Sequence, residues 1–299
     1  MSVLVVGSVA LDTIKTPLGS VKDALGGSAT YSSVSASFFG SVRLVAVIGK
    51  DFPSEHINLL EKKRIDTKGL VIENGKTFRW QGEYGWDLSN PRTIATHLNV
   101  FAEFDPKLPK DYRDSKFVFL ANIDPDIQDR VLRQVARPKL VACDTMNYWI
   151  DNKRKALLKL LPKIDVFLIN ESEARELTGE TNLLLAGRKV LKLGPKNVIV
   201  KKGEHGVLLF TNKGIFSTPA FILESVFDPT GAGDTFAGGF MGYLAKLGKC
   251  DQASLRKAIV YGCVMATFAV EDFSLRKLSS INFGSIKKRL RQYKKLTTF

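Results

Sequence analysis

Asp228-Pro229-Thr230-Gly231-Ala232-Gly233-Asp234-Thr235-Phe236-Ala237-Gly238-Gly239-Phe240 is the stretch from which the rest of the chain can be read. Pro229 and the glycines end whatever precedes them, and the small, apolar-periodic run over 235–247 predicts a helix starting near Asp234. Glycines at 231 and 233 free the backbone to turn its N–H groups toward one point at a helix N-terminus, which makes an anion hole. A carboxylate at its edge can take a proton from an attacking hydroxyl while the amides hold the charge of a transferring phosphoryl group. An Asp at this point also caps a helix. The Gly-Ala-Gly directly before Asp234, with a second carboxylate at Asp228, favours chemistry over capping alone.

Outward from this stretch, apolar runs alternate with helix-like ones. Residues 3–6, 42–48, 117–120, 140–143, 166–169 and 198–201 read as strands, and 28–39, 54–63, 126–135, 153–161 and 183–193 as helices, with Ser54 as the cap of its helix. Repeated strand-helix-strand order predicts an α/β fold, a mostly parallel sheet covered on both faces. No repeat or low-complexity linker divides the chain, so one unit over 1–299 is expected. One stretch departs from the pattern. Over 76–84, Phe78, Trp80, Gly82 and Tyr84 alternate with Thr77, Arg79, Gln81 and Glu83, and a second alternating run follows at 92–98. Half-exposed strands of this kind are usually antiparallel, and here they predict a small accessory sheet, inserted from roughly 12–24 and 76–100. It suits a lid over a cleft, a homodimer surface, or both.

Composition limits the function. The 299 residues are 44% hydrophobic and 25% charged, enough to bury a core and unlike a disordered or collagen-like chain. Apolar runs such as 117–121 are far shorter than the ~20 residues that span a bilayer. With no basic leader before the first strand, no membrane association and a cytoplasmic location are expected. Cys143, Cys250 and Cys263 are widely spaced, and His56, His97 and His205 are isolated, which gives no support to a disulfide framework, a zinc knuckle or a His-based triad. The net charge of +14 draws six of its charges from Lys287, Lys288, Arg289, Arg291, Lys294 and Lys295, read as a solvated face of a terminal helix over 283–293. Nucleic-acid binding is not expected, because no recognition motif or interleaving of aromatic and basic residues accompanies the charge. Neither a Walker A pattern nor a G-x-G-x-x-G fingerprint occurs, which removes P-loop kinases and nicotinamide dehydrogenases.

The 228–240 stretch resembles the C-terminal signature of the PfkB, or ribokinase-like, family of carbohydrate and nucleoside kinases. Further segments in family order extend the resemblance over almost the whole chain. They are Gly7-Ser8 with Asp12, Gly26-Gly27 before a helix, Asn170-Glu171-Ser172-Glu173 as the N-x-x-E motif, and Val198-Ile199-Val200-Lys201-Lys202-Gly203-Glu204-His205-Gly206 as the nucleotide-side strand and turn. The resemblance implies a ribokinase-like fold and ATP- and Mg²⁺-dependent transfer of a γ-phosphoryl group to a primary hydroxyl. Asp234 would be the catalytic base, and Gly231, Ala232 and Gly233 the anion hole. Asp12, Gly26, Gly27 and Tyr31 would line the acceptor site; Asn170, Lys201, Gly203 and Gly206 the nucleotide site. Asn170 and Glu173 would organise Mg²⁺ through water. Asp228 and Thr230 match positions that hold a monovalent cation such as K⁺ in several members, although an Asp there also stabilises a turn.

Two departures bear on the acceptor and donor. Tyr31 stands where many sugar kinases of the family have Asn, and Lys201-Lys202 replace the common Thr before the nucleotide-side glycine. Arg79 and Arg92 are the only basic pair in the predicted lid, which makes an already phosphorylated acceptor less expected than a neutral one. The expected acceptor is an unphosphorylated small sugar, with a nucleoside as the alternative. A non-catalytic binding relative is the rival from another class, and the intact Asp234, Gly231 and Gly233 argue against it.

Overall fold

The computed structural model describes residues 1–89 and 91–298. Strand β1 (Val3–Val6) is buried at every residue, and after it the chain runs through β2 (Ala10–Thr16) and β3 (Gly19–Gly26). Helix α1 (Ser28–Ser37) is rich in Ser, Ala and Thr and buried on nearly all sides, and the hydroxyls of Ser32, Ser35 and Ser37 turn to backbone carbonyls, Ser32 Oγ to Ser28 O at 2.6 Å. Next come β4 (Val42–Gly49), α2 (Ser54–Lys62) and β5 (Ile65–Glu73), then the pair β6 (Phe78–Glu83) and β7 (Arg92–His97). The middle of the chain alternates β8 (Phe117–Leu120), α3 (Pro125–Leu132), β9 (Leu140–Cys143), α4 (Asn147–Asn152), α5 (Arg154–Leu160), β10 (Val166–Asn170), α6 (Glu171–Thr178), α7 (Leu183–Lys192) and β11 (Asn197–Lys201). A hairpin of β12 (Val207–Thr211) and β13 (Gly214–Thr218) precedes the helices α8 (Ala232–Leu247), α9 (Gln252–Val270), α10 (Arg276–Ser280) and α11 (Phe283–Thr297).

The large sheet has nine strands in the order β13-β12-β11-β10-β9-β8-β1-β4-β5, parallel from β11 to β5 and antiparallel at β12 and β13. Alternate residues of β1 enter two different cores. Val3 and Val5 face α8 and α9 with Phe236, Phe240 and Met265, whereas Leu4 and Val6 face the other layer with Val131, Leu157 and Val190. The chain winds from β1 to β4 on one side and later to β8 on the other. That reversal is a topological switch point, and in open sheets of this kind ligands bind outside the carboxyl ends of the strands at such a point.

The accessory sheet has the order β3-β2-β6-β7, and the two alternating runs pair antiparallel as expected, as β6 and β7. Its two outer pairs are antiparallel, but β2 and β6 are parallel. The chain makes α1, β4, α2 and β5 between them, a crossover ample for parallel pairing.

Some expectations shift. Pro53 is the N-cap of α2, Ser54 is already its first helical residue, and no side chain caps that end. Helices α1 and α3 stop short of 39 and 135, and α11 continues to Thr297. By length and composition α9 is apolar enough to cross a membrane, with mean hydropathy 1.3, yet it is a core helix whose span is 67% buried. Arg289 does not belong to a solvated face: its guanidinium bonds both oxygens of Glu271 (3.0 and 2.9 Å) and lies 3.9 Å from the Phe268 ring centroid. The three cysteines are free.

Candidate active site

Polar residues gather where the strands of the large sheet end. One part of this group is built by β2, α1 and the turn before α8. Asp12, on β2, is 5% exposed, and a Cβ on Gly26, its neighbour on β3, would collide with its carboxylate. Burial pushes its pKa up to about 7, against the Gly27 N–H, with Asp228 and Asp234 adding to the rise. Gly27 has φ 93°, and a Cβ there would stand 2.5 Å from the Ser8 carbonyl oxygen. Tyr31 is 1% exposed, and its hydroxyl has no hydrogen-bond partner among the described residues. The Tyr31 ring lies directly under Gly231.

Asp228 is fully buried. Its Oδ1 accepts from Thr230 N (2.9 Å) and its Oδ2 from Ser274 N (3.3 Å), while Thr230 Oγ1 donates to Tyr84 OH (3.1 Å), just beyond β6. The pair closes a turn and ties it to the accessory sheet. Both Asp228 oxygens are held by backbone N–H groups, the pattern of a turn-stabilising Asp.

A second part of this group is the N-terminus of α8. Gly231 has φ 74°, and the helix bonds begin with Thr235 N to Gly231 O (2.8 Å). The N–H groups of Gly231 and Gly233 have no acceptor among the described residues, whereas Ala232 N donates to Pro229 O (3.2 Å). The turn is thus a cradle in which the Gly231 and Gly233 amides are unengaged among the described residues and the Ala232 amide is bonded to Pro229. Asp234 stands in the first turn, its carboxyl pushed up to about 7 by burial and by Asp144, with Lys201 pulling the other way. A base titrating there is matched to proton transfer near neutral pH.

Facing the cradle are the ends of β9, β10 and β11. Lys201 Nζ is 2.7 Å from Asp144 Oδ2, and a Cβ on Gly233 would lie 3.2 Å from the same ammonium. Asp144 was not singled out from the sequence; its signal is an acidic residue directly after the buried strand Leu140–Cys143. Asn170 and Glu173 form a capping box on α6, Asn170 Oδ1 accepting from Glu173 N (2.8 Å) and Glu173 Oε2 from Asn170 N (2.9 Å). Burial pushes Glu173 up to about 7, against Lys201, with Asp144 also raising it. Asn170 Oδ1 takes a further bond from Ser172 Oγ (2.7 Å), so this oxygen is committed to the cap, whereas Glu173 Oε1 has no protein partner among the described residues. No group of three or more His, Cys, Asp or Glu at metal-binding spacing occurs among the described residues. One carboxylate oxygen beside a phosphate cradle suits Mg²⁺, which keeps most of its waters and takes the rest of its shell from phosphates. Gly203 and Gly206 make the turn after β11, closed by Lys202 N to Gly206 O (2.8 Å).

Packing sorts the aromatic rings of the accessory sheet and its surroundings. Phe101 is stacked between Phe78 and Phe104, at centroid distances of 5.3 and 5.4 Å, and Trp86 is 87% exposed. Trp149 donates to Asn122 Oδ1 (2.9 Å). Trp80 lies on Gly82 beside the small cluster of Ile14, Tyr84 and Phe273.

Asp12, Glu173 and Asp234 together set a pH dependence of stability. A carboxyl whose pKa is raised by folding binds its proton more tightly in the folded than in the unfolded chain. Its contribution is complete below the unfolded value of about 4 and is lost as pH rises through about 7. His56, lowered by burial, opposes this below its ordinary value, but is one group against three. The ligand-free protein is expected to unfold at a higher temperature at pH 5.5 than at pH 8; an equal or lower midpoint at pH 5.5 contradicts these environments.

The model of the pfkB family of carbohydrate kinases matches residues 2–281. The chain is 30% identical over 268 residues to cytidine kinase of Thermococcus kodakarensis, covering 86% of this chain and 95% of that protein. It is 24% identical over 305 residues to inositol 3-kinase of Arabidopsis thaliana, covering 98% of this chain and 80% of that one. The crystal structure of aminoimidazole riboside kinase from Salmonella enterica superposes with a TM-score of 0.79 at 18% identity, over 97% of this chain and 100% of that one. With the family match running nearly end to end and the fold agreeing throughout, the chain belongs to the pfkB family of carbohydrate kinases and is an ATP-dependent phosphotransferase with an alcohol group as acceptor.

Proposed function

We propose that this chain is a nucleoside kinase, transferring the γ-phosphoryl group of ATP to the primary hydroxyl of a ribose that carries a base. The observation that carries the acceptor is the 30% identity to cytidine kinase over almost all of that protein. The site supports a neutral acceptor. Arg79 is paired with Asp23 and, at 2.8 Å, with Asp51, and Arg92 with Glu83 at 2.7 Å, so the charge of both guanidiniums is offset by acids, which disfavours an acceptor phosphate. Trp80 is the ring best placed to meet a base, since Phe101 is enclosed by other rings. An unphosphorylated sugar is the second reading, favoured by the same neutral lid.

In this reading Asp234 takes the proton of the acceptor hydroxyl as its oxygen bonds to the γ-phosphorus and the bond to the departing ADP breaks. The Gly231 and Gly233 amides hold the charge on the phosphoryl oxygens. Asp12 receives acceptor hydroxyls, Gly27 lets the backbone come close to them, and Tyr31 forms the floor. Lys201, Gly203 and Gly206 border the nucleotide. Glu173, oriented by its box with Asn170, would hold Mg²⁺, which would supply charge neutralisation for the phosphates. The whole chain, accessory sheet included, works as one catalytic unit.

A screen of ADP release with ATP and Mg²⁺ across cytidine, adenosine, inosine, ribose, fructose and 2-keto-3-deoxygluconate tests the acceptor. Turnover of nucleosides well above that of free sugars is expected. Turnover confined to sugars discards the nucleoside reading in favour of the second.

A further inference from the structure

We propose that Lys201 is a catalytic residue of this chain, its ammonium meeting the transferred phosphoryl group in the Gly231–Gly233 cradle, and that Asp144 is the positioning residue that holds it there. This rests on the cradle and Asp234 acting as a kinase site, and not on which acceptor is used.

Three elements distant in sequence converge to make the arrangement: the end of β9 gives Asp144, the end of β11 gives Lys201, and the N-terminus of α8 gives Gly233. The Lys201 side chain is 17% exposed and that of Asp144 3%, with 2.7 Å between Nζ and Oδ2. The other Asp144 oxygen accepts from Thr145 N (2.9 Å), so both oxygens are engaged and the carboxylate is fixed. Lys201 Nζ has three protons and, among the described residues, one hydrogen-bond acceptor. The remaining protons are available beside the cradle, 3.2 Å from the point where a Gly233 Cβ would stand, and the Gly233 N–H there has no acceptor among the described residues.

Energetics points the same way. Burying an ion pair costs desolvation that its attraction roughly repays, so such a pair adds little net stability. It does supply a fixed positive charge that need not reorganise when a phosphoryl group develops charge. Asp144, Glu173 and Asp234 keep the ammonium protonated against the cost of burial. ADP lacks the group that Lys201 would meet, so the effect of Lys201 belongs to the triphosphate.

Calorimetry on the full chain with Mg²⁺ and no acceptor, using ADP and a non-hydrolysable ATP analogue, reads this without turnover. Lys201→Met is expected to weaken the ATP analogue by about 10-fold or more, as for loss of a charge-assisted hydrogen bond, with ADP changed less than about 2-fold. Its kcat is expected to fall by about 10²-fold or more, the range for one lost donor to the reacting group. Lys201→Arg should recover part of kcat, and Asp144→Asn should lower kcat more than it weakens the analogue. Because Lys201→Met leaves Asp144 unpaired, the double variant Lys201→Met with Asp144→Leu removes both charges. It should unfold near the wild-type temperature and still show the kcat loss. Equal losses for ADP and the ATP analogue, unchanged analogue binding in Lys201→Met, or wild-type kcat in the double variant would each overturn the assignment. A wrong acceptor leaves the binding ratio intact, whereas failure of the kinase reading itself is seen in Asp234→Asn.

Discussion

Asp234→Asn is expected to lower kcat by about 10²–10⁴-fold, the range for removal of a general base, while the unfolding midpoint and ATP affinity stay close to wild type. The amide has the carboxylate's shape and can keep its place in the first turn of α8, so packing gives no reason for the fold to change. What disappears is the proton acceptor. Burial and the neighbouring Asp144 raise the Asp234 carboxyl to about 7, and Lys201 restrains the rise. Below that pH the base is protonated, so wild-type kcat/KM should fall about tenfold per unit as pH drops, and the Asn variant should lose this limb. Asp12, Tyr31 and Tyr84 share the field of Asp234, so the observed value belongs to the cluster. Near-wild-type turnover by the Asn variant would remove Asp234 from the role of base.

Gly231→Ala is expected to damage folding and chemistry together. The residue sits at φ 74°, where a side chain costs about 1–2 kcal/mol. Its Cβ would also lie 2.5 Å from the ring of Tyr31, which is fully buried and has nowhere to retreat, adding an overpacking cost of about 1–3 kcal/mol. A turn that opens to escape this clash no longer aims the Gly231 and Gly233 amides at one point, and a kcat loss of about 10²-fold or more follows. Gly233→Ala makes the contrast. Its Cβ would meet only the tip of the Lys201 side chain at 3.2 Å, a contact that a shift of a few tenths of an ångström relieves, so its unfolding midpoint should change far less. Thermal unfolding and initial rates of both variants decide the matter; a Gly231→Ala protein with wild-type midpoint and turnover would show that the turn is not strained as described.

Local chemistry made much of this site legible beforehand. The capping box of Asn170 and Glu173 is a contact between residues three apart, and the glycine turn before α8 is set by backbone sterics within a few residues. The burial of both faces of the large sheet follows from strands that are apolar throughout. Helix α9 escaped the same reading because it is apolar on most sides and has no period to detect, and β5 because its polar residues and a bulge opposite Arg43–Val45 interrupt the alternation. Ser54 failed as a cap although it is a good capping residue, because the helix begins one residue earlier than the composition indicates.

The amino-acid sequence by itself determined the α/β class, the accessory strands, the family resemblance, and the placing of Asp234 beside a pair of freed glycine amides, since all of these reside in short-range periodicity, turn chemistry and order along the chain. Only the tertiary structure decided which charges meet. Lys201 finds Asp144 across 57 residues, Arg289 closes on Glu271, Arg79 and Arg92 of the accessory sheet pair with Asp51 and Glu83, and Tyr31 slides beneath Gly231. The sequence also left open that β2 and β6 would pair in parallel and that Ala232 would spend its N–H on Pro229. Such pairings depend on which strand ends become neighbours, and that is fixed by burying the apolar surface of the whole chain at once, a sum that no short window of sequence contains.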